Sequence, residues 1–162
     1  MAFFERVKIM EIFATKDCRI LAKLNEGVQN LHADLFPEFF KIHNLAEITE
    51  FFKSVVDKPE HHFFVVKDVE ELVGYAWIEI KHIPEGPIKK AFRLGYVHQI
   101  SINEEKRNKG YGSFLIHKIA SFASENNLFR IELDYWIDNK NARSFYEKLG
   151  FVKFREHVYM DV

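Results

Sequence analysis

A short loop with two glycines and two basic residues is the clearest chemical feature of the sequence. It reads Arg107-Asn108-Lys109-Gly110-Tyr111-Gly112. The loop follows a β-like run at residues 98–102 and precedes an amphipathic run at residues 113–125. A strand, a glycine loop and a helix make an anion site, because the first helix amides lack intrahelical partners and glycine admits a close ligand. We therefore expect a phosphate-bearing ligand at this loop.

Several kinds of phosphate loop can be compared with these residues. A nucleoside triphosphate loop needs Lys before the Ser/Thr that follows its second glycine, whereas Ser113 follows Gly112 directly. A dinucleotide loop needs a third glycine, which the following residues lack. The pattern Arg/Gln-x-x-Gly-x-Gly/Ala is matched in full by residues 107–112. A plain strand-to-helix turn, with glycines for geometry alone, stays open on this loop by itself.

A second motif lies one helix and one strand further along the chain. Residues 139–151 read Asn-Lys-Asn-Ala-Arg-Ser-Phe-Tyr-Glu-Lys-Leu-Gly-Phe. This segment resembles the C-terminal motif Asn-x-x-Ala-x-x-Phe-Tyr-x-Lys-x-Gly-Phe of the GNAT superfamily, the acetyl-CoA-dependent N-acetyltransferases, whose cofactor loop has the pattern of residues 107–112. The specific resemblance covers about residues 95–155, and the first ninety residues agree only in pattern. It implies an acyltransferase that uses acetyl-CoA as co-substrate.

The resemblance also implies a role for individual residues. The loop amides would bind the pyrophosphate of CoA, and Tyr146 would be the general acid beside the CoA sulfur. By offset from Arg107, the Ile100 amide would polarise the thioester carbonyl and Ile102 would pair with pantetheine. Asn139 would share a helix face with Tyr146 and could also cap that helix. The candidate cofactor-binding residues are Ile100, Ile102, Arg107, Asn108, Lys109, Gly110, Tyr111, Gly112, Ser113, Asn139 and Tyr146.

The general base departs from the family pattern. Many members carry a glutamate on the long strand where this sequence has Tyr96. His98 would share that strand face and has a suitable ordinary pKa, and Glu79 on the preceding strand is a second candidate, acting through water.

The acceptor amine is expected to bind where the first two helices meet the sheet, although ordinary core packing accounts for most of the aromatic residues there. The candidate residues are His32, Asp34, Phe36, Phe39 and Phe40, with Trp77, Asp134 and Trp136 as further candidates. The pair His61-His62 has no partners at metal-ligand spacing in the sequence, so we predict no metal.

The composition limits the class of protein. The chain has 162 residues, of which 48% are apolar and 29% charged, as expected for one soluble domain over residues 1–162. A net charge of −1 gives no general attraction for nucleic acid. No apolar run is long enough for a membrane, and the N-terminus lacks signal-peptide features. A single cysteine, Cys18, cannot form an internal disulfide, which indicates a reducing cytoplasm.

The hydrophobic periodicity predicts strands and helices in the order β-α-α-β-β-β-α-β-α-β. This order matches the GNAT fold, and the resemblance implies an α/β fold with a mixed sheet. Strands are predicted at residues 7–13, 63–67, 72–81, 92–102, 129–136 and 151–160. Helices are predicted from Thr15 or Asp17 to residue 33 and at residues 45–56, 113–125 and 140–149. The GNAT resemblance implies helices on both faces and a splay between the strands that flank the cofactor-binding helix. It also allows a sheet-edge homodimer, which no residue requires.

Two functions from different classes remain at this point, and transfer of an acyl chain longer than acetyl stays open as a third option. One is an N-acetyltransferase that moves acetyl to a primary amine of a small molecule or peptide by direct attack in a ternary complex. The alternative is an acyl-CoA-binding sensor or structural module with little turnover.

Overall fold

A five-stranded mixed sheet forms the centre of the computed structural model, which describes residues 10–162. In chain order, which is also their order in the sheet, the strands are β1 Met10–Ala14, β2 His61–Asp68, β3 Glu71–Ile83, β4 Phe92–Ile102 and β5 Ile131–Leu133. Strands β1 to β4 pair antiparallel, and β5 pairs parallel to β4. The predicted α/β class with a mixed sheet is confirmed.

Within residues 10–162 the α-helices are α1 Cys18–Leu35, α2 Leu45–Lys53, α3 Tyr111–Glu125 and α4 Lys140–Lys148. Asp17 begins α1 as predicted, since its carboxylate accepts from the Arg19 and Ile20 amides at 2.9 and 3.0 Å. Such a cap stabilises a helix by about 1 kcal/mol, because it satisfies amides that the helix itself leaves unpaired. Across the described residues no helix has both the length and the apolar character needed to cross a bilayer.

The two faces of the sheet carry different helices. Because side chains alternate along a strand, Tyr75 and Trp77 of β3 face α1 and α2, whereas Ile78 faces α3. Phe52 of α2 is fully buried against the rings of Tyr75 and Trp77. On the other face, Leu115 is fully buried from α3. Helices therefore cover both faces, as the resemblance implies.

Strand β4 is paired on both sides only along its first half. It pairs with β3 over its whole length but with β5 only at residues 95–97. Within the described chain, residues 98–102 have no strand on their second side, so β4 and β5 part beyond Val97. A β-bulge falls at the same point, because Trp77 pairs with Gln99 and Ile78 with Val97, which leaves His98 as the extra residue.

The strand predicted at residues 151–160 is not formed. Residues 151–162 have no regular secondary structure, and Val152, Val158 and Met160 are 86%, 81% and 82% exposed. A strand needs a neighbour that satisfies its backbone groups, and β5, the edge strand beside which this segment would lie, is only three residues long. At the other end, residues 7–9 of the predicted first strand lie outside the described residues, and β1 contains residues 10–13 of that prediction.

Candidate active site

Helix α3 begins at a glycine, whereas the other three α-helices begin at residues whose side chains accept hydrogen bonds from first-turn amides, namely Asp17, Asn44 and Asn139. The α3 cap is Gly110, whose φ of 91° lies in the left-handed region. The Phe114 amide donates to the Gly110 carbonyl at 3.0 Å, so helix geometry leaves the Gly112 and Ser113 amides for another acceptor. This helix end is chemically suited to an anion.

The loop before α3 is tied to the turn between β2 and β3. The buried Tyr111 side chain donates to the Asp68 carboxylate, and Lys106 pairs with Glu71. Burial, with a smaller contribution from Asp68, raises the pKa of Tyr111 to about 12, so the hydroxyl remains a donor. Because the Tyr111 ring is buried, its side chain holds the loop in place, and the predicted contact with the cofactor falls to its backbone.

The loop residues from Arg107 to Gly110 are exposed. The Arg107 guanidinium donates to the Ile102 carbonyl at 3.3 Å, and the Lys109 ammonium donates to the Glu105 carbonyl at 2.8 Å. Asn108 adopts a φ of 59°. Two cationic side chains thus lie at the start of α3, beside its available amides.

Gly112 is required by a close approach between helices. A Cβ built on Gly112 would lie 3.0 Å from Cζ and 3.2 Å from Cε2 of Phe145 in α4. The sequence interpretation assigned this glycine to close approach by the cofactor. In the structure a side chain at Gly112 would meet Phe145, and Gly110 has the conformation that favours a glycine. The cofactor contact of Gly112 remains a prediction.

Ile100 and Ile102 lie in the half of β4 that β5 leaves open. They pair with Ala76 and Gly74 on the β3 side, and their side chains pack beneath α3. An extended ligand can pair with the second side of such a strand through backbone hydrogen bonds. The predicted backbone roles of both residues are therefore compatible with their positions and remain predictions.

The two base candidates are in direct contact. His98 Nε2 lies 2.7 Å from a carboxylate oxygen of Glu79, and the Trp77 indole stacks on the His98 ring with centroids 4.2 Å apart. Burial lowers the pKa of His98, and the contact with Glu79 opposes that shift. A carboxylate on one nitrogen orients the imidazole and leaves the other nitrogen to accept a proton.

Tyr96, at the position of the family's usual glutamate, is not a carboxylate substitute. Its hydroxyl donates to the Asp134 carboxylate at 2.5 Å, and its ring contacts that of His98. Burial and Asp134 raise the pKa of Tyr96. Tyr96 therefore remains protonated and cannot act as a base near neutral pH.

His61 joins the same cluster, contrary to the expectation that it lacks partners. Ligand atoms of His61, Glu79 and His98 lie within 4.8 Å of one another. Spacing along the chain could not reveal this group, because its members lie on three adjacent strands. However, His61 Nδ1 accepts from the Trp77 indole at 3.0 Å, which puts the proton of a neutral ring on Nε2. Metal-ligating imidazoles usually donate through their second nitrogen, so this arrangement does not favour a metal, whose absence remains a prediction.

Tyr146 lies in a cluster of aromatic rings and packs against the core on the α3 face of the sheet. Its ring contacts Tyr135, Phe145 and Phe151, with centroids 5.9, 5.1 and 5.5 Å away. Burial raises the pKa of Tyr146 to about 12, which keeps the hydroxyl protonated. The Asn139 side chain caps α4 by accepting from the Ala142 amide at 3.1 Å, as the sequence allowed.

Most of the predicted acceptor residues form one group of aromatic rings, and Trp77 lies apart from it. Phe36, Phe39 and Phe40, from the segment between α1 and α2, surround Trp136 with ring centroids 4.3, 5.9 and 5.5 Å from it. His32 joins this group through Phe40 at 5.0 Å. Trp77 does not belong to it, since Trp77 is in the core beside His98. Asp34, which lies between His32 and Phe36 in the chain, is exposed.

Sequence reasoning missed several residues that support the site. Tyr135 stacks on Tyr146, and Asp68 holds Tyr111. Asn25 of α1 donates to Tyr75 and to Gln99 beside the bulge, at 3.1 and 3.0 Å. A helical spacing of four from Leu21 could have indicated that Asn25 faces the core.

Comparison with known proteins agrees with this geometry. Residues 25–151 match the model of the acetyltransferase (GNAT) family. N-alpha-acetyltransferase 30 of Xenopus laevis is 37% identical over 65 residues, which are 40% of this chain and 24% of that protein. The chain thus aligns with about a quarter of that curated relative.

Solved structures share the fold at low identity. The tetramutant of the BH1408 protein from Bacillus halodurans superposes with a TM-score of 0.86 at 21% identity, over 95% of this chain and 99% of that one. An aminoglycoside N-acetyltransferase, AAC(6')-Iy, in complex with CoA, gives a TM-score of 0.72 at 14% identity, over 99% of each chain.

Proposed function

Because it matches that family model over most of its length, the chain belongs to the acetyltransferase (GNAT) family and is an acyltransferase, and we propose that it acetylates a primary amine by direct attack on acetyl-CoA. The observation that carries this proposal is the half-open strand β4, which ends at the glycine-capped start of α3. The strand offers backbone groups to an extended arm, and the helix offers amides to a diphosphate at its end.

The amine must lose a proton to become a nucleophile. We assign this proton to the ring nitrogen of His98 that does not contact Glu79, either directly or through water. The carboxylate of Glu79 then stabilises the imidazolium that forms. Since His98 has a lowered pKa, the free base is the main form at neutral pH.

The deprotonated amine attacks the thioester carbon and forms a tetrahedral intermediate. In the proposal, the Ile100 amide donates to the oxyanion, as backbone donors do in acyl-transfer enzymes. After His98 has passed the first proton to solvent, it takes the second proton from the nitrogen of the intermediate. Collapse of the intermediate then breaks the carbon–sulfur bond, and the thiolate takes the proton of the Tyr146 hydroxyl. The amide and free CoA are the products, and proton exchange with solvent restores Tyr146 and His98.

The alternative is a domain that binds acyl-CoA without turning it over. Its support is the Tyr96 departure, because that residue leaves the usual base position without a carboxylate. The contact between Glu79 and His98 weakens this alternative, since His98, two residues along the strand from Tyr96, would then serve as the base.

Thiol release from acetyl-CoA, measured with a panel of primary amines, tests the proposal. For Tyr146→Phe we expect kcat to fall by about 10²- to 10⁴-fold, the usual contribution of a general acid. The affinity for CoA, measured by calorimetry, should change little. Tyr159→Phe is the matched control, because Tyr159 is 88% exposed in the C-terminal segment. Tight CoA binding without turnover across the panel would establish the binding module instead.

The cellular location belongs to the same proposal. The lone cysteine supports action in the cytoplasm, and fractionation of cells that express the full chain would test it.

A further inference from the structure

A buried hydrogen-bond network joins helix α1 to strand β4 beside the bulge. Asn25 of α1 is 2% exposed, and its side-chain nitrogen donates to the Tyr75 hydroxyl at 3.1 Å and to Oε1 of Gln99 at 3.0 Å. The hydroxyl of the fully buried Tyr75 donates to the same Gln99 oxygen, and burial raises the pKa of Tyr75, so the hydroxyl stays a donor. We call these three side chains the polar network. It holds Gln99 on the face of the sheet that α1 covers.

The register of β4 requires one extra residue between Val97 and Ile100. Both of these side chains pack on the α3 face, although residues three positions apart point to opposite faces of a regular strand. Either His98 or Gln99 must therefore be the extra residue. Gln99 is the one that pairs with Trp77, and directly opposite residues share a face, so the polar network keeps Gln99 in the regular position. His98 is left as the bulged residue.

The bulge places two consecutive side chains, His98 and Gln99, on the same face of the sheet. This position lets the His98 ring stack on Trp77 and lie 2.7 Å from a Glu79 oxygen. If His98 took the place of Gln99 opposite Trp77, its ring would shift along the strand by as much as about 3 Å, the rise of one residue. The choice of the bulged residue thus decides where the imidazole lies.

Asn25 is an unfavourable residue for packing alone. Within residues 10–162 its buried oxygen Oδ1 has no hydrogen-bond partner, which opposes folding. Leucine, with a similar size, would carry no such penalty. The two bonds from the Asn25 nitrogen are therefore what an asparagine provides at this position.

We propose that Asn25 and Tyr75 are positioning residues for the base: they hold Gln99 opposite Trp77, make His98 the bulged residue and so aim its ring at Glu79. Both act from the buried side of the sheet and through Gln99. This inference rests on the proposed acetyltransferase function, in which His98 is the base. Bulges commonly re-aim a side chain beside an active site, and here the network that selects the bulge can be removed without touching the reacting groups.

The pKa of His98, followed by NMR through its imidazole signals, measures the contact with Glu79 without any need for turnover. In the otherwise unchanged protein, Glu79→Gln should lower this pKa, because the carboxylate raises it. In the double variant Asn25→Leu/Tyr75→Phe, Gln99 loses both partners, and Glu79→Gln should then lower the pKa of His98 by less than half as much. Three other titratable groups around His98 are present in all of these proteins, namely His61, Lys81 and Tyr96.

Kinetics give the consequence for the reaction. We expect kcat of the double variant to fall by about tenfold to 10²-fold, since a displacement of about 1 Å has a cost of that order. The KM for acetyl-CoA should stay within about twofold, because both substituted side chains are buried beneath α1. Gln99→Leu removes the network from the other side and should match the double variant. Gln99→Glu keeps an oxygen that accepts both bonds, and it should retain the full effect of Glu79→Gln on the pKa of His98.

Gln29→Leu is the matched control, because it also removes an amide hydrogen bond of α1, the one to the Lys41 carbonyl at 2.7 Å. Circular dichroism verifies folding, and Gln99→Leu decides the matter if the double variant does not fold. An undiminished effect of Glu79→Gln in the network variants overturns the inference, and so does an equal loss of that effect in Gln29→Leu. Absence of acetyl transfer to every amine by the unsubstituted protein would refute the proposed function, whereas the NMR comparison would still decide the role of the polar network.

Discussion

A single methyl group added at Gly112 distinguishes two roles of this glycine. If the glycine admits the cofactor, Gly112→Ala should weaken CoA binding. If it admits the neighbouring helix, the same change should displace α4 and leave the α3 amides in place. The structure supports the second role, because the new Cβ would lie 3.0 Å from the Phe145 ring.

The size of the effect follows from the contact distances. The new Cβ would lie 3.0 and 3.2 Å from two atoms of the Phe145 ring, so the ring must give by a few tenths of an ångström. Tyr146 is the next residue of the same helix and would move with it. Since a misplacement of about 1 Å can cost about 10²-fold in rate, we expect this smaller shift to lower kcat by about three- to tenfold. The Kd for CoA should change by less than about twofold.

A double-mutant cycle with Phe145→Leu isolates the contact, because leucine lacks the two ring atoms that the new methyl meets. In the Phe145→Leu background, Gly112→Ala should have little further effect on kcat. The measurements are kcat at saturating acetyl-CoA and CoA affinity by calorimetry, with circular dichroism to verify folding. A loss of CoA affinity with unchanged kcat would refute the reasoning, as would a loss of kcat that persists in the double variant.

Two further changes test other features of the site. Gly110→Ala should lower the free energy of unfolding by about 1 to 2 kcal/mol in urea titrations, because φ is 91° there and the new Cβ meets only the Met10 side chain at 3.8 Å. Gly110→Asn should lower it less, because asparagine tolerates the left-handed conformation better. Equal losses for the two variants would contradict a backbone origin of the effect. Glu79→Gln should move the pH at which kcat/KM reaches half its maximum to lower values. Glu79 raises the pKa of His98, against burial and the nearby Lys81 and His61. A general base is active at pH values above its pKa, so loss of the Glu79 charge extends activity to lower pH. A shift to higher pH, or none, would exclude this pair as the base.

Local signals in the sequence predicted most of the helices and strands. The bounds of β4 were predicted as observed, and Asp17 caps α1, because capping and hydrophobic alternation are properties of adjacent residues. The start of α3 was predicted two residues late, since a glycine cap has no side-chain signal. The prediction of a final strand at residues 151–160 was wrong, because the alternation of apolar and polar residues does not show whether a neighbouring strand pairs with the segment.

The candidate site was harder to predict, because its contacts join distant parts of the chain. His98 and Glu79 were separate candidates for the base, and only the sheet register brings them together. The bulge at His98 has no marker in the sequence. The role of Gly112 depends on α4, whose packing angle no local pattern encodes. The partners of His61 lie on two other strands, so close spacing along the chain could not predict them.

The half-open strand β4 has a consequence for the stability of the folded protein in a cell. Backbone groups on the open side of residues 98–102 need partners that folding alone does not provide within residues 10–162. Water is one such partner, and a wrongly paired second chain is another, since free strand edges invite aggregation. A substrate that occupies the edge stabilises the folded form by mass action. Loss of that substrate would then lower the free energy of unfolding as well as slow the reaction.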